Sequence, residues 1–183
     1  MRVLAISGSL RSGSNSTALL RALREGAPRG VDVEIWNGLK EIPPYDADDD
    51  VVPGPGQVEG LRDLIREADA VFFATPEYNS SVPGALKNAL DWASRPMATN
   101  AFRNKPVAVI SSSAGAFGGV WAAAELRKVL SAMGARVTEA ELSVGHVHEK
   151  LSDDGALVDA EIREGLSDAL GTLLAEVAPA LAA

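Results

Sequence analysis

A three-layer α/β sandwich built on five parallel strands is the fold class this chain predicts, and three observations predict it. Segments with strand and helix character alternate through five rounds. Three of the strand segments, Val3–Ile6, Ala70–Thr75 and Val107–Ser112, are apolar almost throughout, as strands covered on both faces must be. Each of these three runs straight into an unusual polar loop, at residues 7–16, 76–82 and 112–119. In parallel α/β sheets the crevice beyond the carboxyl ends of the strands is where ligands bind.

The elements follow in order. Val3–Ile6 is too short for the apolar core of a secretory signal, and stops at a run of Ser and Gly. Thr17–Glu25 places Leu19, Leu20 and Leu23 near one face, a helix with Asn15 or Ser16 as its cap. Val31–Ile35 alternates apolar and acidic residues, as a partly exposed strand does. Residues 43–56, rich in Pro, Asp and Gly, read as a loop, and Gln57–Glu67 as a helix. Pro83 opens a further helix, a tolerated first-turn position for proline. The helix Val120–Met133 ends at Gly134, a stop signal. Arg136–Leu142 is a last strand, Ser152–Gly155 a turn, and Asp159–Val177 a final amphipathic helix. No repeat and no second domain is visible, so residues 1–183 are expected to form a single domain.

Bulk composition narrows the function. The 183 residues are enough for one sizeable core. There are no cysteines, which removes disulfides, thiolate metal sites and cysteine nucleophiles and fits a reducing cytoplasm. A net charge of −8 lacks the footprint of a nucleic-acid or anionic-membrane binder. It leaves room for a small phosphate ligand, because a local nest of amides outweighs the global field. No apolar run approaches the ~20 residues of a membrane-spanning helix.

The first loop concentrates hydroxyls and unencumbered amides at Ser7, Gly8, Ser9, Ser12, Gly13, Ser14 and Ser16, around the single cation Arg11. The following helix aims its free N–H groups and positive dipole end at the same place. Together these parts suit a phosphate; a flexible Ser/Gly connection with a capped helix is the plainer alternative. Neither G-x-x-x-x-G-K-[ST] nor G-x-G-x-x-G is present, which favours a mononucleotide phosphate over a triphosphate or dinucleotide. In the second loop two prolines bracket a polar, aromatic-containing turn and restrict its backbone, either to meet a flat ring or simply to join strand and helix. The third loop carries Gly115, Gly118 and Gly119, which allow a ligand to lie against backbone or allow a flexible turn.

Two stretches, S-G-S-L-R-S-G-S-N-S at 7–16 and T-P-E-Y-N-S-S-V-P-G-A-L-K-N-A-L-D-W-A-S-R-P at 75–96, resemble the NADPH-dependent FMN reductase family, which includes quinone, chromate and azo-dye reductases. The resemblance extends over nearly the whole chain, including L-S-D-D-G-A-L-V-D before the last helix. It implies a flavodoxin-like fold with strand order 2-1-3-4-5. It implies that the FMN phosphate lies on Ser9, Arg11, Ser14, Asn15, Ser16 and Thr17. The isoalloxazine edge would meet Pro76, Glu77, Tyr78 and Asn79, and Ser112, Ser113 and Gly115 would close the other side. NADPH or NADH would reduce the flavin, and a small-molecule acceptor such as a quinone, chromate, an azo dye or free flavin would take the electrons by a ping-pong scheme. No side chain is required as an acid or base, because the flavin carries the chemistry. A homodimer or homotetramer is implied, without nucleic-acid or membrane partners. The alternative within the same fold is an electron-carrier flavodoxin without NAD(P)H turnover.

Other features have plain readings. His146 and His148 lie two apart, on one side of a strand if extended, and are read as surface rather than as a metal pair. Asp46, Asp48, Asp49 and Asp50 form a solvated loop without calcium-loop spacing. Trp92 belongs to the core or to a subunit interface.

Overall fold

The computed structural model describes the backbone of residues 1–181 and the side chains of residues 1–177. The predicted domain runs to Ala183, so its last two residues lie outside the described ones. The elements are β1 (Arg2–Ser7), α1 (Asn15–Glu25), β2 (Asp32–Trp36), α2 (Gly56–Glu67), β3 (Ala70–Pro76), α3 (Gly84–Ala93), β4 (Pro106–Ser112), α4 (Val120–Ala132), β5 (Arg136–Val144) and α5 (Ala160–Leu181). The five strands form one parallel sheet in the order β2-β1-β3-β4-β5.

Strand periodicity divides the core in two. Leu4, Ile6, Val71, Phe73, Val107 and Val109 point to the face covered by α2, α3 and α4, against Ile65, Leu90 and Leu126. Val3, Ala5, Phe72, Ala108 and Ile110 point to the face covered by α1 and α5, against Leu19, Leu20, Leu166 and Leu173. Because β1, β3 and β4 are central, both of their faces are dry, which is why their sequences read as unbroken apolar runs.

Three local readings need correction. The cap of α1 is Ser14, one residue before the expected Asn15 or Ser16, and its Oγ accepts from Thr17 N at 3.2 Å. Residues 43–56 are not a bare loop. They hold a 3-10 turn, Ala47–Asp49, and are docked on the helices. Asn88 Nδ2 and Trp92 Nε1 both donate to Pro43 O, at 2.8 and 2.9 Å, while Asn88 Oδ1 accepts from Tyr45 N at 2.8 Å. Buried Arg62 ties the other end, donating to Asp50 at 3.2 Å and to Trp92 O at 2.8 Å. Trp92 is fully buried, so it is a core residue of the chain itself. Finally, the two histidines are not on a strand. His146 sits at φ 46° and starts a 3-10 turn, Val147–Lys150.

The edge strand β5 is longer than predicted and carries a register shift against β4 near Val107–Val109. Arg127 of α4 answers the irregularity by donating to the carbonyls of Thr138, at 2.6 Å, and Ala140. Helix α4 stops where expected: Met133 is the C-cap and Gly134 follows at φ 86°, the left-handed position that favours glycine. No helix among the described residues is long and apolar enough to cross a membrane.

Candidate active site

The carboxyl ends of β1, β3 and β4 open onto a cleft of about 320 Å³. Sequence order reverses here, since β1 has β2 on one side and β3 on the other. A larger cavity of about 390 Å³ lies between α1 and α5, lined by aliphatic side chains with Arg163, Glu164 and Ser167. It lies away from the carboxyl ends of the central strands and takes none of the three polar loops.

The first loop is braced by its own hydroxyls. Ser7 Oγ accepts from Thr17 Oγ1 at 2.9 Å and from Ser9 N at 3.3 Å, and Ser9 Oγ accepts from Arg11 N at 3.4 Å. Gly8 is required where the loop crosses β3: its N–H donates to Ala74 O at 2.9 Å, and a Cβ would meet Leu86 and Thr75 at 3.0 Å. The N–H groups of Asn15 and Ser16 have no protein acceptor among the described residues, as expected in the first turn of a helix. Arg11 is exposed at the cleft rim and forms no ion pair among the described residues.

The second loop is a tight turn held at both ends. Tyr78 and Ser81 exchange backbone hydrogen bonds of 3.1 and 3.2 Å, with Asn79 and Ser80 at φ 53° and 59° between them. Glu77 turns its carboxylate away, accepting from Trp121 N and Ala122 N at 3.1 and 3.2 Å. It therefore caps the N-terminus of α4, whose own cap, Gly119, has no side chain to do so. Glu125 of α4 accepts from Ser81 Oγ at 2.5 Å and from Val82 N at 3.4 Å. The Ser81 hydroxyl, then the Val82 amide, hold its carboxyl below the usual carboxylate range.

The third loop is pinned to the chain after β5. Val147 N donates to Ser113 O at 3.1 Å and His146 N to Gly115 O at 3.2 Å. Gly118, at φ 63°, lies so close to the backbone of Ser143 that a Cβ would fall 2.6 Å from its carbonyl carbon. Buried Ser112 shares a 3.0 Å hydrogen bond with Ser16, joining the third loop to the first.

Ten of the thirteen expected site residues line this cleft: Ser9, Arg11, Ser14, Asn15, Ser16, Pro76, Glu77, Tyr78, Ser112 and Ser113. The chain brings them from three distant segments to one place. Thr17 instead borders a neighbouring cavity on the far side of the first loop. Asn79 is exposed at the apex of its turn, and Gly115 is exposed in the third loop outside the cleft lining. Sequence reasoning missed Ala114 and Val147, which also line the cleft. Val147 is buried inside G-H-V-H-E-K, and its one signal was a lone apolar residue between histidines. No group of three or more His, Cys, Asp or Glu side chains among the described residues is placed to hold a metal ion.

A doubly wound parallel sheet of this order, with a polar cleft at its switch point, defines a flavodoxin-like α/β protein. Residues 1–149 match the model of the NADPH-dependent FMN reductases, and the chain belongs to that family of oxidoreductases. It is 40% identical to the NAD(P)H-dependent FMN reductase PA1204 of Pseudomonas aeruginosa over 174 residues, covering 94% of this chain and 93% of the relative. It is 39% identical to the quinone reductase of Escherichia coli K12 over 162 residues, covering 87% and 86%. Among solved structures, the flavoenzyme NAD(P)H:(acceptor) oxidoreductase of Paracoccus denitrificans superposes with a TM-score of 0.84 at 31% identity, covering 96% of this chain and 98% of the other.

Proposed function

We propose that the cleft holds one FMN, reduced by NADPH or NADH and reoxidised at the same open face by a small-molecule acceptor of the quinone, chromate, azo or free-flavin kind. The observation that carries this reading is the gathering of ten residues from three loops around one cleft that still has unpaired donors. Its volume falls in the range of about 300–1,000 Å³ usual for cofactor sites.

The residues fit the group. A phosphate at the first loop would take the free N–H groups of Asn15 and Ser16, the hydroxyls of Ser9 and Ser14, and the guanidinium of Arg11. Ser14 Oγ already accepts from Thr17 N, which leaves its own O–H to donate outward. Pro76–Tyr78 and Ser112–Ala114 line the rest of the cleft, where a flat ring would lie. When bound, the flavin supplies two-electron chemistry, taking a hydride from the nicotinamide and passing the electrons on. The protein binds, orients and shields; the backbone amides of the second loop, fixed by Glu77 and Glu125, act as preorganised dipoles.

One face serving donor and acceptor in turn gives ping-pong kinetics. Double-reciprocal plots at varied NADPH and quinone should be parallel; intersecting lines would show that both substrates bind together and refute the shared face.

We further propose that residues 1–183 act as one domain around this single sheet, in a reducing cytoplasmic setting consistent with a chain lacking cysteine. A homodimer or homotetramer is supported by exposed Phe117 and Trp121, stacked edge to face at 5.2 Å beside exposed Val120. Light scattering on the purified protein should give a multiple of 19.1 kDa, and a monomer would remove this part of the proposal.

A further inference from the structure

On the far side of the first loop, at the carboxyl end of β2, lies a second cavity of about 220 Å³. Ser9 and Arg11 line both this cavity and the cleft, so only the loop separates the two. Arg11, Arg21 and Lys40 converge on it with Trp36, Thr17 and Ser12, and Glu41 is the one carboxylate at its edge. Arg21 and Lys40, like Arg11, form no ion pair among the described residues, so their charges are open to a ligand in the cavity. In a chain of net charge −8, Arg21 and Lys40 beside this hydroxyl-lined hollow, with Arg11 shared with the cleft, make a local cationic pocket.

We propose that this cavity is the subsite for the 2′-phosphate of NADPH, with Arg21 and Lys40 as its specificity-determining residues. The inference rests on the flavin reductase reading above. A phosphate monoester supplies the double negative charge and acceptor oxygens that two exposed cations and two hydroxyls can meet, and NADH lacks it. Trp36 offers an apolar surface beside the cations, suited to the attached adenosine.

The test uses Arg21→Gln, Lys40→Gln and the double variant, all changes at exposed positions. Each single change is expected to raise KM for NADPH about tenfold, the loss of one charge-assisted contact, with kcat and the NADH parameters unchanged. Calorimetry with adenosine 2′,5′-bisphosphate should show binding to the wild type that the double variant loses, while adenosine 5′-monophosphate is indifferent to the changes. Added salt should weaken NADPH more than NADH. Equal effects on the two coenzymes, no effect on either, or unaltered bisphosphate binding would overturn the assignment. So would a loss of FMN affinity in these variants, which would give the cations to the flavin phosphate. Failure of the wild type to bind FMN would refute the reductase reading alone, since the bisphosphate measurement stands without flavin.

Discussion

In the proposed site, Arg11 is the one cation that would meet the flavin tail. It is exposed and unpaired, so its charge is screened and its contribution belongs at the low end of the roughly 1.5–3 kcal/mol for a charged hydrogen bond. Arg11→Ala should weaken FMN binding about tenfold without changing thermal stability, measured by fluorescence titration and melting. Gly118 is the opposite case, a residue fixed by packing. Gly118→Ala puts a methyl into the Ser143 backbone at a positive φ, and we expect a loss of about 2 kcal/mol or more in denaturant unfolding. The glycine-rich third loop was legible as backbone needing freedom, but not as backbone pressed on backbone, because that partner lies 25 residues further along the chain. Glu77 was named as a site residue through the family resemblance alone. That its carboxylate serves α4 depends on the N-terminus of a helix 44 residues away.

At the scale of elements, the loop 76–82 is held by two glutamates rather than by its own prolines alone. The folded-state pKa of Glu125 is depressed by Ser81 and Val82. Its contribution to loop order is therefore present above the unfolded carboxylate pKa, about 4.3, and is lost as pH falls through the lower folded value. Amide exchange at Ser81 and Val82 should quicken selectively in that acid range, and Glu125→Gln should abolish the pH dependence. Docking of residues 43–56 is a second device of this kind. Asn88→Ala removes bonds to Tyr45 and Pro43, both 2.8 Å long, and should cost about 1–3 kcal/mol in global stability or free the segment to protease. The K-N-A-L-D-W stretch reads only as part of the helix that Pro83 opens. Yet two of its residues, Asn88 and Trp92, hold this distant segment. Composition marked 43–56 as irregular but held no trace of its tethers, two of which, Asn88 and Trp92, lie more than 40 residues away.

For the whole molecule, the sheet was readable because physics leaves few options. Strands dry on both faces must be central, and those runs were β1, β3 and β4; the charged, alternating β2 and β5 occupy the edges. Which edge each strand takes is not written in any single segment, and the order 2-1-3-4-5 rested on resemblance to a family. The register shift in β5 was invisible too, since its compensation is one arginine on another helix. Placing three Ser-, Gly- and Pro-rich loops after the three central strands was sufficient to locate the cleft, as all three must emerge at the same end of a parallel sheet.

The central claim is that this cleft grips FMN, and fluorescence titration of the flavin-free protein with FMN tests it most directly. The account predicts saturable quenching at one FMN per chain, with affinity reduced in Arg11→Ala. Absence of saturable binding, or an affinity indifferent to that substitution, would contradict it.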